Sequence, residues 1–315
     1  MAFRFPQRIP RWRARKTFPI YLEAPAYSPR SGGIRAMHAL YHHLNRLGYE
    51  AFVIWKPPVE SAPIPPRYVN MRTRLWHWCR GREPIVVYPE VIAGNPHRAK
   101  FVVRYLLNKP GLLVPGSESS FGSDDYFIDG AREHAPNGVR SFDLFMPLVD
   151  HSSYFPPPAG APRHGFAVFA HRAEPDPATF PVWLKPYVAL SMQSPRSHAE
   201  LGDIYRRSRA LVVWERSIAI FEALSCGCPV ICIANDHFND ETYHPRFRDA
   251  GLIWGWRESE LDAAASKTSN FRAIHRDLEN SLDERIRLAF DSIIEDAWRR
   301  LCRGSPARQA MSARG

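Results

Sequence analysis

The feature that most constrains this 315-residue chain is a strand–turn–helix–strand pattern close to its beginning. The run PIYLEAP (19–25) predicts a short strand, and AYSPRSGG (26–33) has the composition of a turn. Apolar residues then recur at helical spacing from Ile34 to Leu47, and Gly48 follows where a helix commonly ends. Because AFVIW (51–55) predicts a second strand, this segment indicates a parallel α/β sheet.

The same alternation continues on both sides of a proline-rich break. Before the break we predict strands at 84–90, 111–115 and 142–148 and a helix at 97–108. After it we predict strands at 166–172, 187–191, 210–214 and 229–234, and helices at 198–208 and 217–227. The break itself, 151–165, contains four prolines and two glycines and predicts an interdomain linker.

These patterns predict an α/β protein of two Rossmann-like domains. The expected division is a basic tail (1–16), an N-terminal domain (17–150), the linker (151–165), a C-terminal domain (166–280), a helix that crosses back (281–302) and a basic tail (303–315). A chain of this length fits two domains of ordinary size.

The net charge of +10 is concentrated at the two ends. Residues 1–16 carry six cations and 297–315 carry five, with no acid in either segment, whereas 17–296 has 31 cations and 32 acids. This near-neutral middle disfavours a nucleic-acid-binding surface over the whole protein. The basic ends suit an anionic membrane surface, and two solvated tails are the alternative.

Cysteine usage and hydropathy favour a cytoplasmic protein. The five cysteines are odd in number and scattered, which does not indicate a disulfide framework. No apolar run reaches the roughly 18 residues that a membrane-spanning helix needs. We therefore expect a cytoplasmic location, with peripheral attachment to the inner membrane face through the tails.

Two glutamates stand out in the stretch ERSIAIFEALSCGCPVICIAND (215–236). Glu215 follows a predicted strand, so it is expected at the carboxyl end of a parallel sheet, where ligands bind in such folds. Ser217 is a natural N-cap, and the helix start that follows suits a phosphate. Glu222 lies further along this helix, where its carboxylate could accept hydrogen bonds from a ribose. The alternative is that both acids only stabilise the helix electrostatically.

The segment ERSIAIFEALSCGCPVI (215–231) resembles the C-terminal-domain signature of GT-B glycosyltransferases of the retaining, two-glutamate group. The family pattern has seven residues between the glutamates, and this chain has six. The resemblance implies two Rossmann-like domains facing across a cleft, of which the N-terminal one binds the acceptor and the C-terminal one the nucleotide-sugar. It also implies that Glu215 contacts the donor sugar and Glu222 the ribose, without a metal cofactor.

SPRSGGIRAMHALYHHLNRLGYEAFVIW (28–55) is similar to the N-terminal glycine loop, helix and strand of the same family. The resemblance places Ser31, Gly32, Gly33 and Arg35 near the donor diphosphate and the acceptor. In the second domain it places Arg172 against the diphosphate. Together with Arg216 and Ser217 these residues complete the expected donor and acceptor contacts.

Three further residues are candidates from their positions alone. Glu23 and Glu90 end predicted strands, where each could act as a general base or contact the acceptor, with a structural loop acid as the alternative. Asn95 is a candidate acceptor contact. The acidic pair Asp124–Asp125 has no metal-binding signature, and we predict no metal site.

The predicted function is transfer of a sugar from a nucleotide-sugar to a glycan or lipid-linked acceptor in cell-surface polysaccharide synthesis. A nucleotide-sugar epimerase and a non-catalytic nucleotide-sugar-binding membrane adaptor are the alternatives. A nicotinamide-dependent enzyme is disfavoured because no G-x-G-x-x-G follows a predicted strand.

Overall fold

The computed structural model of the protein describes residues 17–29, 31–54, 66–130, 134–240 and 245–303. The chain divides into two compact units. The first unit comprises the residues up to Met146 and from Ser281 onward, and the second is Pro147–Asn280. The predicted basic tails lie outside the described residues, apart from Arg303. Within the described ranges no helix combines the length and the apolar character that crossing a bilayer requires.

The first unit contains a six-stranded parallel sheet. Its strands are β1 (Ile20–Leu22), β2 (Ala51–Val53), β3 (Ile85–Pro89), β4 (Phe101–Leu106), β5 (Tyr126–Asp129) and β6 (Ser141–Asp143). Helix α1 (Gly32–Arg46) connects β1 to β2, and α2 (Met71–Cys79) lies between β2 and β3. The strand order is β2-β1-β3-β4-β5-β6, so the direction in which strands are added reverses between β1 and β3.

The predicted β1–α1–β2 pattern is present, and its local chemistry is visible. Ser31 is the N-cap of α1, and its hydroxyl accepts a hydrogen bond from the Ile34 amide at 3.3 Å. The apolar face of α1 is buried, with Met37, Leu40 and Leu44 at most 1% exposed. Burial of this stripe is what stabilises the helix in the fold.

The prediction of a helix at 97–108 and a strand at 111–115 is wrong. The first of these segments contains β4, and the second consists of turns and bends. Arg104 gave the apolar run the appearance of an amphipathic helix. In the structure its guanidinium is buried and its Nε lies 2.7 Å from Asp125 Oδ2, so a cation is accommodated inside a central strand.

Two further differences concern the edge of the same sheet. The predicted strand at 142–148 is the three-residue β6, which starts at Ser141, and β5 was not predicted. Both strands are short, and much of the surrounding chain is polar, so their alternation gives a weak sequence signal.

The second unit contains a five-stranded parallel sheet. Its strands are β7 (Phe166–Phe169), β8 (Tyr187–Leu190), β9 (Leu211–Val213), β10 (Val230–Cys232) and β11 (Leu252–Trp254). Helix α3 (His198–Arg207) precedes β9, and α4 (Ile218–Ser225) connects β9 to β10. The order β11-β10-β9-β7-β8 reverses direction between β7 and β9. The predicted α/β class with two Rossmann-like units is therefore confirmed.

The last helix, α5 (Leu261–Arg303), has 43 residues and begins well before the predicted start at 281. Its part from Ser281 onward belongs to the first unit. There, Arg285 Nη1 lies 2.9 Å from Asp143 Oδ2, and the Tyr49 hydroxyl donates to Asp291 at 2.7 Å. Phe290 is fully buried beside them. The chain therefore returns to the first unit as part of a single helix.

Candidate functional site

Both sheets have a point where strand order reverses, and the same two strands define it in each. These are the first and third strands of the unit in chain order, β1 and β3 in the first unit and β7 and β9 in the second. In open parallel α/β sheets, ligands bind outside the carboxyl ends of the strands at this reversal. The residues that directly follow these four strands are therefore the candidates for a binding site in each unit.

At the second unit's reversal, Glu215 follows β9 and Arg172 follows β7. Glu215 Oε1 accepts hydrogen bonds from the backbone amides of His171 at 2.7 Å and Arg172 at 2.9 Å. Its other oxygen lies 2.6 Å from Arg172 Nη1. Glu215 is 9% exposed, whereas the Arg172 side chain is 48% exposed. The carboxylate therefore holds the turn after β7 and leaves half of the guanidinium open to solvent.

The start of α4 lies next to this pair in sequence. Ser217 has extended backbone angles as the N-cap, and its hydroxyl accepts from the Ala219 amide at 3.3 Å. Arg216, which precedes it, is partly buried. The first amides of a helix and its positive dipole end favour an anion. The sequence-predicted Arg172, Glu215, Arg216 and Ser217 thus lie on the two loops that leave the reversal point.

Glu222 occupies a different environment from Glu215. It lies in the middle of α4 and is only 3% exposed. Burial raises the pKa of the Tyr205 phenol on α3, and the negative charge of Glu222 raises it further. Glu222 is also about 7–8 Å further along the helix axis than Ser217, at 1.5 Å per residue. The structure therefore places this glutamate inside the unit, and its contact with a ribose stays a prediction.

At the first unit's reversal, Glu23 follows β1 and forms a pair with a histidine that the sequence did not indicate. His97 Nε2 lies 2.5 Å from Glu23 Oε2. The His97 ring is parallel to the Tyr88 ring within 5°, with 6.0 Å between their centroids. The backbone amide of His97 donates to the Tyr88 hydroxyl at 3.1 Å. A carboxylate beside an imidazole is an arrangement that can accept and hold a proton.

The loop that carries His97 is fixed by its own side chains. Asn95 Oδ1 accepts hydrogen bonds from the Tyr88 hydroxyl at 3.0 Å and the Ala99 amide at 2.9 Å, and Asn95 Nδ2 donates to the Ala99 carbonyl. Asn95 therefore holds the loop closed. The acceptor contact predicted for this residue stays a prediction. Asn95 is exposed, so a ligand in solution can reach it.

Arg104 supports the same loop from within the sheet. It is 1% exposed, and besides its ion pair with Asp125 it donates to the carbonyls of Ile92 at 2.9 Å and Gly94 at 2.5 Å. Its guanidinium carbon also lies 5.1 Å from the centre of the Tyr88 ring. A buried cation with this many acceptors fixes the path of the loop after β3. Asp125 is thereby a partner of Arg104 rather than part of an acidic pair with Asp124.

Glu90, directly after β3, is buried without a cation among its described contacts. It is 5% exposed, and its Oε2 accepts a hydrogen bond from the Leu107 amide at 3.0 Å. Burial raises the pKa of Glu90 to about 7. Hydrogen bonds from the backbone amides of Glu90, Leu107 and Asn108 lower this pKa, but by less. This carboxyl is therefore close to half-protonated at neutral pH.

The start of α1 lies beside Leu107. A Cβ atom built on Gly33 would lie 3.8 Å from Leu107 Cδ1, an ordinary contact, and Gly33 does not have a positive φ. The fold therefore does not require glycine at this position, although glycine costs about 1 kcal/mol relative to alanine in a helix. Gly32 precedes it as the first residue of α1, and Arg35 is buried at 8% exposure.

His97 and Tyr88 are the candidates that sequence reasoning missed. His97 fell at the start of a segment predicted to be a helix, which removed it from consideration as a loop residue. Tyr88 lies inside a strand whose other residues are apolar. The one available signal was that a histidine follows a predicted strand by only a few residues, in the same loop as Asn95.

Comparisons with known proteins give remote structural similarities only. No family model matches the sequence, and no curated protein matches it. Among solved structures, the chain is similar to WaaG, a glycosyltransferase of lipopolysaccharide biosynthesis, at 9% identity and a TM-score of 0.45 over 88% of this chain and 98% of that one. It is similar to the spinosyn forosaminyltransferase SpnP at 10% identity and a TM-score of 0.48 over 88% and 99%. It is also similar to an α-glucosyltransferase bound to UDP and DNA, at 12% identity and a TM-score of 0.46 over 87% and 98%.

Proposed function

We propose that the protein is a glycosyltransferase that moves a sugar from a nucleotide-sugar donor to a glycan or lipid-linked acceptor in cell-surface polysaccharide synthesis. The observation that carries the proposal is the pair formed by Glu215 and Arg172 where the strand order of the second sheet reverses, next to the start of α4. This is the position at which Rossmann-like sheets bind the phosphates of nucleotides. The sequence resemblance around 215–231 supports the same assignment.

In this proposal Arg172 binds the phosphate of the donor. Its half-exposed guanidinium can form charge-assisted hydrogen bonds with a phosphate while it keeps its contact with Glu215. The first amides of α4 and Arg216 would add to the neutralisation of the leaving phosphate without a metal. Because both oxygens of Glu215 already accept hydrogen bonds, its proposed contribution is to position Arg172 and the turn after β7.

We further propose retention of the anomeric configuration, which the two-glutamate resemblance favours. The Glu23–His97 pair favours inversion instead, because an inverting enzyme needs a base that deprotonates the acceptor. The anomeric configuration of the product, measured by NMR, separates the two. With retention, the His97→Asn variant should keep its rate within about tenfold, whereas loss of a general base costs about 100-fold or more.

The surface of α2 supports a lipid-linked acceptor. Met71, Leu75 and Trp78 recur at helical spacing and are 80%, 57% and 76% exposed. The arginines at 72, 74 and 80 are exposed beside them. His77 faces the opposite way, is 1% exposed, and hydrogen-bonds the Tyr21 hydroxyl at 2.5 Å. A helix that carries exposed apolar and aromatic side chains among arginines suits the interface of an anionic membrane.

Vesicle binding tests this surface. Leu75→Glu should weaken binding of the full chain to anionic vesicles by about tenfold or more, because burying a leucine is worth about 1.5–3 kcal/mol. Leu288→Glu is the matched control, since Leu288 is 64% exposed on α5. Equal co-sedimentation of the two variants would remove the membrane from the proposal and leave a soluble glycan as acceptor.

Donor binding is the central test. A thermal-shift screen against nucleoside-diphosphate and nucleoside-monophosphate sugars should find a ligand that stabilises the protein, by about 2.7 kcal/mol at 100 times its dissociation constant. Arg172→Met should abolish most of this shift. Arg209→Met is the control, since the Arg209 side chain is 40% exposed and pairs with Glu258, but Arg209 precedes β9, at the amino end of the same sheet. Equal shifts in both variants would contradict the assignment.

The alternatives predict different products from the same donor. An epimerase would convert the nucleotide-sugar without an acceptor, and an adaptor would bind it without turnover. Glu222→Gln tests the ribose contact separately, because this variant should bind the nucleotide more weakly. Unchanged nucleotide affinity in that variant would assign Glu222 a structural role between α3 and α4.

A further inference from the structure

Two imidazoles and a carboxylate converge in the second unit, in residues that the proposed transfer does not use. His275 and Glu279 lie one turn apart on α5, and His151 lies in a turn at the start of the unit. One ligand atom from each of the three lies within 4.8 Å of the others. His151 Nε2 is 2.9 Å from Glu279 Oε1, and His275 Nδ1 is 3.4 Å from the same oxygen.

His275 is the member of this group that most needs an explanation. It is 1% exposed, and among the described residues neither of its ring nitrogens has a hydrogen-bond partner. Its ring packs against Phe271 and the edge of His151, at centroid distances of 5.5 and 5.3 Å. Buried polar groups are nearly always hydrogen-bonded, so a buried imidazole facing a carboxylate and a second imidazole indicates a missing partner.

We propose that His151, His275 and Glu279 bind a zinc ion, or a divalent transition ion of similar preference. Zinc takes histidine nitrogens and carboxylate oxygens at about 2.0–2.2 Å, which puts neighbouring ligand atoms of a tetrahedral site about 3.4 Å apart. Of the two closest distances, 3.4 Å equals that value and 2.9 Å is 0.5 Å shorter. Two nitrogen ligands with one oxygen suit zinc better than magnesium or calcium, which prefer oxygen ligands.

The three ligands are held in place before any ion arrives. His275 and Glu279 share one face of α5 because they are four residues apart on a helix. The turn that carries His151 is closed by Asp150, whose carboxylate accepts from the Ser152 amide at 3.0 Å and the Ser153 hydroxyl at 2.9 Å.

The position of the site in the chain would let a bound ion connect the two ends of the second unit. His151 follows the point where the chain enters the second unit at Pro147, and Glu279 precedes the point where it leaves at Asn280. A bound ion would join the first turn of the unit to the helix that ends it. The His151 side chain is 52% exposed, which provides a route for the ion from solvent.

Zinc titration of the untagged, EDTA-treated full-length protein tests the proposal. Competition with a chromophoric chelator should show one zinc equivalent bound to the parent. His151→Ala should lower the affinity at least about 100-fold, since the loss of even an outer partner of a zinc ligand costs 10–100-fold. Glu279→Gln should have a similar effect. Both side chains are partly exposed, so neither change threatens the fold.

His43→Ala is the matched control, because His43 lies 3.4 Å from Asp283 in an imidazole–carboxylate pair of its own. It should bind zinc like the parent. If His151→Ala and His43→Ala have the same affinity, the proposal is overturned. X-ray absorption at the zinc edge is a second test: nitrogen and oxygen ligands support the site, whereas a sulfur ligand would place the ion at a cysteine, such as the exposed Cys79, and overturn the proposal.

Discussion

The reversal points of the two sheets have the same topology but give their carboxylates different electrostatic surroundings. In the second unit, Glu215 lies against the Arg172 guanidinium and two backbone amides, so its charge is balanced locally. In the first unit, Glu90 is buried with a backbone amide as partner, and burial raises its pKa to about 7. The second unit's reversal holds an ion pair, whereas the first unit's reversal holds, besides the Glu23–His97 pair, a buried carboxyl that gains or loses a proton near neutral pH.

The different surroundings of Glu215 and Glu90 suit the two reversal points to different tasks. A paired guanidinium suits the binding of an anionic leaving group, whose charge develops during the reaction. A buried carboxyl and, in the same unit, the Glu23–His97 pair suit the handling of protons.

Arg104→Met has the largest expected effect on stability. It removes the buried cation that supports the loop after β3, next to the first unit's reversal point. The variant leaves the carboxylate of Asp125, whose side chain is 9% exposed, without its cation, and it frees two loop carbonyls. Breaking a buried pair on one side costs about 3–5 kcal/mol. Denaturant unfolding should show this loss, and a loss below about 1 kcal/mol would mean that the loop after β3 does not depend on Arg104.

Glu90→Gln should stabilise the protein in a pH-dependent way. The pKa of Glu90 is raised above the ordinary 4.5 to about 7, so the folded state binds the proton more tightly than the unfolded state. Stability is therefore lost as the pH rises from about 4.5 to 7, by about 3 kcal/mol for a shift of this size. Glutamine resembles the protonated form, so the variant should exceed the parent by less than about 1 kcal/mol at pH 5 and by about 3 kcal/mol at pH 8. If the stability difference between Glu90→Gln and the parent is the same at both pH values, burial does not raise the pKa of Glu90.

Glu215→Gln is the matched change in the second unit and should have the opposite sign. Glutamine can still accept from the two amides but loses the charge that faces Arg172. Because the Arg172 side chain is about half exposed, solvent screens this pair, and we expect a loss of about 1 kcal/mol at pH 7. A gain in stability on this change, measured as for Glu90→Gln, would erase the contrast between the two reversal points.

Gly33→Ala has the smallest expected effect on stability and separates folding from binding. The position has room for a methyl group, so alanine should stabilise α1 by about 0.5–1 kcal/mol. If the helix start approaches a ligand closely, the same change should weaken nucleotide-sugar binding. A variant that is more stable and binds the donor as well as the parent would remove Gly33 from the predicted site.

Much of the fold could be predicted from local sequence patterns. The strands that became β1, β2, β3, β7, β8, β9 and β10 were found because each is a short apolar run bounded by turn residues. Strand β4 was missed because Arg104 breaks its apolar run, and the compensation for that buried cation comes from Asp125 and from carbonyls outside the strand. Local patterns carry no information about such distant partners.

The candidate site divides in the same way. Glu23, Glu90 and Glu215 were predicted from their positions directly after strands, a property that the chain order alone provides. The pairing of Glu23 with His97 joins residues 74 positions apart, and the pairing of Arg172 with Glu215 joins residues 43 apart. Only the order of strands in each sheet brings these loops together.

The amino-acid sequence by itself therefore determined that the chain alternates strands and helices and which acids follow strands, because these properties depend on neighbouring residues. The tertiary structure decided which strands are adjacent, which of these acids meets a cation, and which is left to titrate near neutral pH. The physical reason is that desolvation and ion pairing depend on every group around a side chain, and most of those groups are distant in sequence.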